Sequence, residues 1–471
     1  MHCTCRCTIA EIFTRKLVLP AFTPVERRAA FSLSFLYVTR MMGLFLLLPV
    51  LSVLSQDLSG ATPLLIGLAV GIYALFQALL QIPFGLLSDR FGRKPVILAG
   101  LAIFIAGSLV AANTDSIWGI IIGRAMQGGG AISAVIMALA GDLTRDNQRT
   151  KIMAVIGASI GLSFFLSIII GPLLMARFNL DGIFYVIALS GVVAALLVLF
   201  VVPEPEQNNQ DRNISVVINA MPGLLRHPDL LKIDFGILVL HLLITAGFVC
   251  IPLKLLSTGV AAEAHWLVYL IGAVGSLAIL LPMLGFAERK LPVNRVMAVG
   301  VTGLAIAFIV IGVAPDIYWM LAASMILFFG FLSVLESLLP SLASRTAPVS
   351  LRGTAMGIYS TSQFLGAFIG GVAGGWLVGK LGVTGALLAL SVICFFWLPV
   401  AFQMKSPERL SNYRLPLRES LLGNDTVALG QNLRRIAGVT EVSVVKAEQA
   451  AYLKVDRRQF DENDLRQYQR T

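Results

Sequence analysis

Gly85-Leu86-Leu87-Ser88-Asp89-Arg90-Phe91-Gly92-Arg93-Lys94-Pro95 separates two long apolar runs, and its reading decides the fold. Its glycines let two helix ends approach closely and turn. Asp89 puts a carboxylate at a helix end, where the positive N-terminus of another helix would stabilise it. Arg90, Arg93 and Lys94 crowd three cations into one short loop. Such a loop can serve only to fix which side of a bilayer it lies on. An ordered alternation of glycine, acid and base over eleven residues exceeds what that role needs.

Outward from this loop, apolar runs long enough to span a bilayer recur along the chain. Twelve are expected, at roughly 30–54, 64–87, 95–113, 117–141, 152–176, 183–202, 235–257, 266–287, 294–313, 317–341, 353–377 and 383–403. Each must be a helix, because lipid offers no partner to a backbone amide. The chain is 57% apolar and 13% charged, with mean hydropathy +0.84; soluble proteins carry about 25% charge. A net charge of +10 would suit a nucleic-acid partner if the cations were clustered. They lie instead in alternate short loops: Arg27 and Arg28; Arg90, Arg93 and Lys94; Arg145, Arg149 and Lys151; Arg212, Arg226 and Lys232; Arg289, Lys290 and Arg295; Arg345 and Arg352. The loops at 55–63 and 114–116 have none. This asymmetry excludes nucleic acid as a partner and puts both termini in the cytoplasm, with the lipid bilayer as solvent. Met1–Thr23 lacks a continuous apolar core, so no cleavable signal is expected.

The longest loop, Val202–Leu230, carries Pro203, Pro205, Pro222 and Pro228 and divides the spans six and six. The halves share sequence: Arg149-Thr150-Lys151-Ile152-Met153-Ala154 parallels Arg352-Gly353-Thr354-Ala355-Met356-Gly357, and Gly171-Pro172-Leu173-Leu174 parallels Gly374-Gly375-Trp376-Leu377 at the same offset of 203. Duplicated six-helix halves are a mark of transporters; glycine-rich helices also match by chance. The expected division is an N-terminal extension at 1–29, a six-helix half at 30–202, a linker at 203–234, a second half at 235–404 and a soluble domain at 405–471. In the last, Tyr413–Leu417, Val439–Val445 and Ala451–Val455 read as strands. A helix capped by Asp425 carries Leu429, Leu433 and Ile436 on one face and ends at Gly438, and Asp461–Tyr468 reads as a short helix. This βαββα order predicts a small ferredoxin-like α+β domain. No cysteine follows Cys394, which argues against metal carriage there. Cys3, Cys5 and Cys7 lack zinc spacing, and Cys250 and Cys394 lie inside apolar runs as packing residues. No cofactor or metal site is expected.

Gly85–Pro95 resembles the cytoplasmic loop signature of the major facilitator superfamily at nearly every position. The resemblance implies a conformational latch of Gly85, Asp89, Arg90, Gly92, Arg93 and Asp142. Asp89 would meet the start of the eleventh span near Gly353, and Arg93 would pair with Asp142. Gly285-Phe286-Ala287-Glu288-Arg289-Lys290 is a decayed second copy. Arg124-Ala125-Met126-Gln127-Gly128-Gly129-Gly130 resembles the family's proton-linked signature, and Gly157, Gly161, Gly171 and Pro172 partly resemble its antiporter signature. Small residues at four-residue spacing also serve close packing alone, with Pro172 permitting a bend; Gly366, Gly370, Gly371, Gly374 and Gly375 give the eleventh span a similar surface. The Thr23–Arg28 entry, the Gln81-Ile82-Pro83-Phe84 lead, the Gly357–Gly366 run and the C-terminal domain resemble the YajR group of drug-exporter-like, proton-coupled members, from about residue 23 onward.

Polar residues inside spans are functional candidates. A buried arginine costs roughly 2.5–3.5 kcal/mol on insertion scales, so Arg124 is expected to face a cavity or a carboxylate. Glu336, Arg40, Arg124 and His241 are the proton-coupling candidates. Glu336 is the carboxylate deepest in any expected span, and Asp234 stands next in line. When charged, Glu336 needs a cation such as Arg40 or Arg124; Arg40 could equally hold an anionic substrate, and His241 could simply be packed. Tyr73, Gln77 and Gln81 recur on one face and, with Gln127, Tyr359 and Gln363, are the expected walls of a substrate cavity. The whole predicts an all-α membrane protein of twelve helices plus the small domain, in a bacterial-type inner membrane. Its expected function is proton-coupled export of a small-molecule substrate by alternating access. The alternative is a membrane sensor working through its C-terminal domain; no nucleophile motif, phosphate loop or histidine cluster suggests an enzyme. Neither the substrate nor the oligomeric state is legible.

Overall fold

The computed structural model describes residues 22–204, 221–289, 292–314, 317–348, 351–404, 410–418, 426–445, 449–456, 459–465 and 468. The Cys3, Cys5 and Cys7 cluster, Arg212, Lys290 and the Asp425 cap lie outside them.

Thr23 starts α1 (Pro24–Phe45): its hydroxyl accepts from Glu26 N at 3.1 Å, and the Glu26 carboxylate accepts from Thr23 N at 2.8 Å. Reciprocal capping of this kind satisfies two amides that no helical carbonyl reaches. A break at 46–47 leads into α2 (Leu48–Leu54). Next come α3 (Pro63–Phe91), capped by Thr62, and α4 (Arg93–Ala112). Between them Gly92 sits at φ +92°, a conformation that only glycine adopts without strain. The chain continues as α5 (Ile117–Gly129), α6 (Ser133–Asp142), α7 (Asp146–Met175) and α8 (Leu180–Phe200). The second half holds α9 (Pro228–Ser257), α10 (His265–Arg289), α11 (Val293–Val313), α12 (Tyr318–Thr346) and α13 (Arg352–Phe402).

With α1–α2 and α5–α6 each taken as one broken helix, eleven stretches among the described residues are long and apolar enough to cross a membrane. Each of the first ten covers an expected span to within a few residues. The last, α13, has 51 residues, with a non-helical Gly382 at φ +69° joining two arms. At 1.5 Å per residue its length far exceeds a bilayer core of about 30 Å.

One end of the bundle carries Phe22, the Gly92 turn, Arg145 and Met404; we call it the basic end. The opposite, far end carries exposed Trp118, Trp319 and Trp376, the residue type enriched at membrane interfaces. The two halves touch at the far end along two seams. In the first, α3 lies against α13 with no side chains between: a Cβ on Gly67 would collide with the Gly371 carbonyl, and one on Gly71 would lie 2.7 Å from the Phe368 carbonyl. In the second, Phe164 and Phe165 of α7 stack on Phe248 of α9 and Phe329 of α12 at ring distances of 6.0–6.4 Å. Towards the basic end, Gln81 Nε2 still donates to Thr361 Oγ1 at 3.0 Å. Beyond it a Cβ at Gly85, Gly353 or Gly357 would meet nothing within 4 Å, and the same holds deeper, at Gly157 and Gly161 of α7. The halves are therefore splayed at the basic end and sealed at the far end.

After Met404 come β1 (Leu410–Pro416), α14 (Thr426–Arg434), β2 (Val439–Val445) and β3 (Ala450–Asp456). The strands form an antiparallel sheet in the order β1-β3-β2, with Tyr413 opposite Leu453 and Val442 opposite Leu453 on the other side. Leu429 and Leu433 of α14 pack on Leu415, Leu453 and Val455. The helix expected at Asp461–Tyr468 is only a 3-10 turn, Glu462–Leu465; Leu465 is the one residue of that turn in the core cluster.

Candidate functional site

At the basic end, Arg93 gathers three groups. Its Nε donates to Asp142 Oδ2 at 2.9 Å, and its Nη1 reaches both Ser88 Oγ at 2.6 Å and Asp89 Oδ1 at 2.5 Å. Ser88 in turn donates to the Gly85 carbonyl. Helices α3, α4 and α6 are thus tied through one guanidinium, whose planar fork suits several acceptors at once. Asp89 does not meet the start of α13, contrary to the expectation. With the halves splayed there, its ion-pair partner is Arg93 and the space at Gly353 is open. The side chains of Glu288, Arg289 and Lys290 in the decayed copy lie outside the described residues.

A second clasp was invisible in the sequence. Glu26, buried at the start of α1, takes Arg145 Nε at 2.9 Å, Nη2 at 2.8 Å and the Arg145 amide at 3.2 Å. The carboxylate raises the Arg145 pKa further, so that arginine stays charged. Nearby, Arg28 donates to the Phe200 and Val201 carbonyls at the end of α8. In sequence, Glu26 looks like an ordinary N3 capping residue, which hides its second role.

Deeper in the first half sit Arg40 and Arg124, both 0% exposed. Arg40 donates to the Gln127 carbonyl and to Gln77 Oε1, each at 2.8 Å. Arg124 donates to Gln127 Oε1 at 3.0 Å and to the Gly43 carbonyl at 3.1 Å, with longer contacts to the Ala69 and Val70 carbonyls. Gln127 passes the network on to Ser108 and Gln77 to Ser133. The Tyr73 ring takes Arg40 at 5.1 Å and Arg124 at 4.9 Å, a cation–π arrangement strengthened by desolvation. Among the described residues neither arginine has a carboxylate partner. Arg124 therefore meets no acid, and Arg40, left open between Glu336 and an anionic substrate, has Gln77 and the Gln127 carbonyl as its hydrogen-bond partners: carbonyls, amides and the Tyr73 and Phe104 rings share the charge. Tyr73, Gln77 and Gln127 are likewise corrected from cavity walls to buried parts of this network.

The titratable groups meet in the second half. His241 of α9 lies 2.7 Å from Gln363 Nε2 of α13 and 3.9 Å from Glu336 Oε1 of α12. Glu336 is 41% exposed and His241 15%. Glu336 Oε2, His241 Nδ1 and the hydroxyl of buried Tyr359 have no hydrogen-bond partner among the described residues. Gln81 is held by Thr361 rather than facing this cluster. Of the glycines expected to pack, Gly171 lies against the Leu46 carbonyl, whereas Gly157 and Gly161 stand open on the splayed side; Pro172 lies inside α7 near its far end.

The sequence profile of the Major Facilitator Superfamily matches residues 33–278 and 235–435. The chain is 43% identical over 434 residues to the inner membrane transport protein YajR of Escherichia coli (strain K12), covering 92% of this chain and 95% of that one. Similarity to the class B tetracycline resistance protein of Escherichia coli is 32% over 180 residues, covering 37% of this chain and 45% of that one. Among solved structures, a D-xylose-proton symporter superposes with a TM-score of 0.66 at 16% identity, over 81% of this chain and 98% of that one.

Proposed function

This chain belongs to the major facilitator superfamily, and we propose that it is a proton-coupled exporter of small molecules that works by alternating access. Membership makes it a multi-pass membrane transport protein rather than an enzyme. Counted as two crossings on either side of Gly382, α13 brings the spans to twelve in two halves. The basic end is the cytoplasmic one by its excess of Lys and Arg, so the splayed arrangement is inward-facing in an inner membrane. The relatives with transport and drug-resistance names support export of small molecules. The C-terminal sheet order β1-β3-β2 supports a ferredoxin-like unit without its last strand, with a regulatory or oligomerising role.

One observation carries the proton reading: Glu336, beside His241, is a carboxylate at membrane depth whose side chain is 41% exposed while its Oε2 is buried with no hydrogen-bond partner among the described residues. An ionised carboxylate is tolerated there only towards water, and protonation lets it rest in an apolar wall. A group that stabilises two arrangements differently in its two protonation states biases the equilibrium between them. One charge moved through the field contributes about 2.3 kcal/mol per 100 mV. Glu336→Gln should abolish accumulation driven by a proton gradient in inverted vesicles while downhill exchange and binding survive. Normal gradient-driven accumulation would remove Glu336 from the mechanism and leave His241 or Asp234.

The latch belongs to the same reading. On closure of the basic end Asp89 would leave Arg93 for the N-terminus of α13. Asp89→Asn should shift the population towards the inward-facing state with the fold intact, read as a longer spin-label distance between positions 91 and 345 in a background lacking the native cysteines. Wild-type distances and transport would remove the latch.

A further inference from the structure

One polar cluster lies on the sealed side of the molecule, apart from the residues that carry the proton reading. His265 is the first residue of α10, at the far end, and is 0% exposed. Its Nε2 lies 3.2 Å from the carbonyl of Val260, in the turn that follows α9. A carbonyl only accepts, so Nε2 carries the proton. Nδ1 is buried and has no hydrogen-bond partner among the described residues. The ring stands edge-on to Tyr269 at 6.3 Å, and the Tyr269 hydroxyl is likewise buried without a partner among them. Tyr269 in turn lies 6.2 Å from Phe248 and 6.5 Å from Phe329, the two rings on which Phe164 and Phe165 of the first half stack. The turn Ala262–Ala264 just before His265 rests against α7. The imidazole therefore belongs to the packing that closes the far end.

This packing suits a neutral imidazole and penalises a charged one. A neutral ring leaves one lone pair at Nδ1 without a partner. A protonated ring would leave an N–H there, and a buried charged donor without an acceptor costs far more. The N-terminus of α10 adds a positive potential at the same place. Two charges of opposite sign stand near in the chain: Glu263, which is exposed, and Lys254 in the last turn of α9, which is 9% exposed. Between His241 and Lys254, α9 carries only Cys250 as a titratable group. Helices α7, α11 and α12 pack against α10. No titratable side chain lies between Lys151 and Met175 of α7, after Arg295 in α11, or between Tyr318 and Glu336 of α12. No acid from a neighbouring helix is therefore placed to neutralise an imidazolium in the seal. When the far end parts, water reaches Nδ1 and solvates the added proton. The open arrangement thus binds one proton more than the sealed one, and acid shifts the balance towards opening, by at most about tenfold in population per pH unit.

We propose that His265 is a proton-operated pin of the far-end seal: neutral, it lets the aromatic packing close, and protonated from the far side, it holds that end open. This rests on the alternating-access reading, in which the far end opens, and not on Glu336 as proton carrier. The test uses the full-length chain in detergent, in a background lacking the native cysteines, with spin labels at the exposed positions 176 and 267 on either side of the second seam. A second pair at 91 and 345 reports the basic end. Lowering the pH from about 7.5 to about 5.5, across the ordinary imidazole range, should raise the far-end open population several-fold. His265→Gln keeps a donor for the Val260 carbonyl and cannot take a second proton. Its far-end distances should match the unsubstituted background at the higher pH and stay there at the lower one. The same acid response in both chains overturns the inference, and so does a background whose far end ignores pH. Should the thermal midpoint show the Gln variant unfolded, His265→Phe, which keeps a ring in the packing, takes its place with the same expectation. The basic-end pair separates this inference from the reading beneath it. Two populated distances there with a pH-blind far end remove His265 and keep alternation; a single distance at both ends removes both. The acid response should persist in Glu336→Gln, and its loss there would assign the effect to Glu336 and overturn the role of His265.

Discussion

The first half holds its intramembrane charge as permanent cations and surrounds Arg40 and Arg124 with carbonyls, amides and aromatic faces, with Arg40 Nε left unpaired among the described residues. The second half holds titratable groups more loosely: Glu336 Oε2 and the Tyr359 hydroxyl are buried with no partner among the described residues, and Glu336 Oε1 lies 3.9 Å from His241. Arginine is always charged at accessible pH, so the Arg40–Arg124 network has nothing to switch and behaves as structure. Glu336 and His241 are of titratable types and are less completely engaged. The more fully engaged charges of the first half read as scaffold, and the less engaged groups of the second half are the candidates proposed for the working part. Depth alone does not tell them apart.

The largest effect should come from breaking the scaffold. Arg124→Ala removes charge-assisted hydrogen bonds to Gln127 and Gly43 and leaves a void; at about 1.5–3 kcal/mol for each charged hydrogen bond, with a cavity cost added, the loss is about 3 kcal/mol or more. Arg124→Lys should recover only part of it, because the ammonium lacks the fork. The check is the thermal midpoint in detergent, where Glu336→Gln should match wild type. A drop of the same size in both variants would erase the distinction between the halves. Next in size is the glycine seam. Gly67→Val places a side chain on the Gly371 carbonyl and should part the far end, lengthening by several ångströms the distance between labels at 59 and 380. An unchanged distance would mean that the seam yields without opening. Glu26→Gln should lower the thermal midpoint less than Arg124→Ala, because Arg145 keeps access to water. Smallest of all, deletion of 406–471 should leave a membrane-inserted bundle with residual transport; failure to insert would make the tail part of the core.

What the sequence could and could not disclose follows from distance along the chain. The Gly85–Pro95 run is contiguous, so its turn, its helix ends and the position of its charges are legible directly. Arg93 and Asp142 are 49 residues apart, and only a family resemblance could suggest their meeting. The rotation of α1 about its own axis is set by packing, so whether Arg40 looks towards Glu336 or towards Gln77 was not readable. Tyr73, Gln77 and Gln127 misled for a related reason: polar residues at helical spacing look the same whether they wrap a buried cation or line a path. Gly157 and Gly161 show the converse, since small residues at four-residue spacing suggest close packing, yet a Cβ at either would meet nothing within 4 Å.

The Thr23–Glu26–Arg145 clasp has a consequence for how the molecule is made. Glu26 enters the bilayer region with the first helix, 119 residues before its partner is synthesised. Its pairing with Arg145 has to wait for the α6–α7 turn, which follows α3 to α6 in the chain. Assembly of the first half can thereby be registered at its basic end before the second half exists. A chain that mispairs α1 carries a bare carboxylate at the headgroup boundary, a defect that the quality-control machinery of the membrane can act upon.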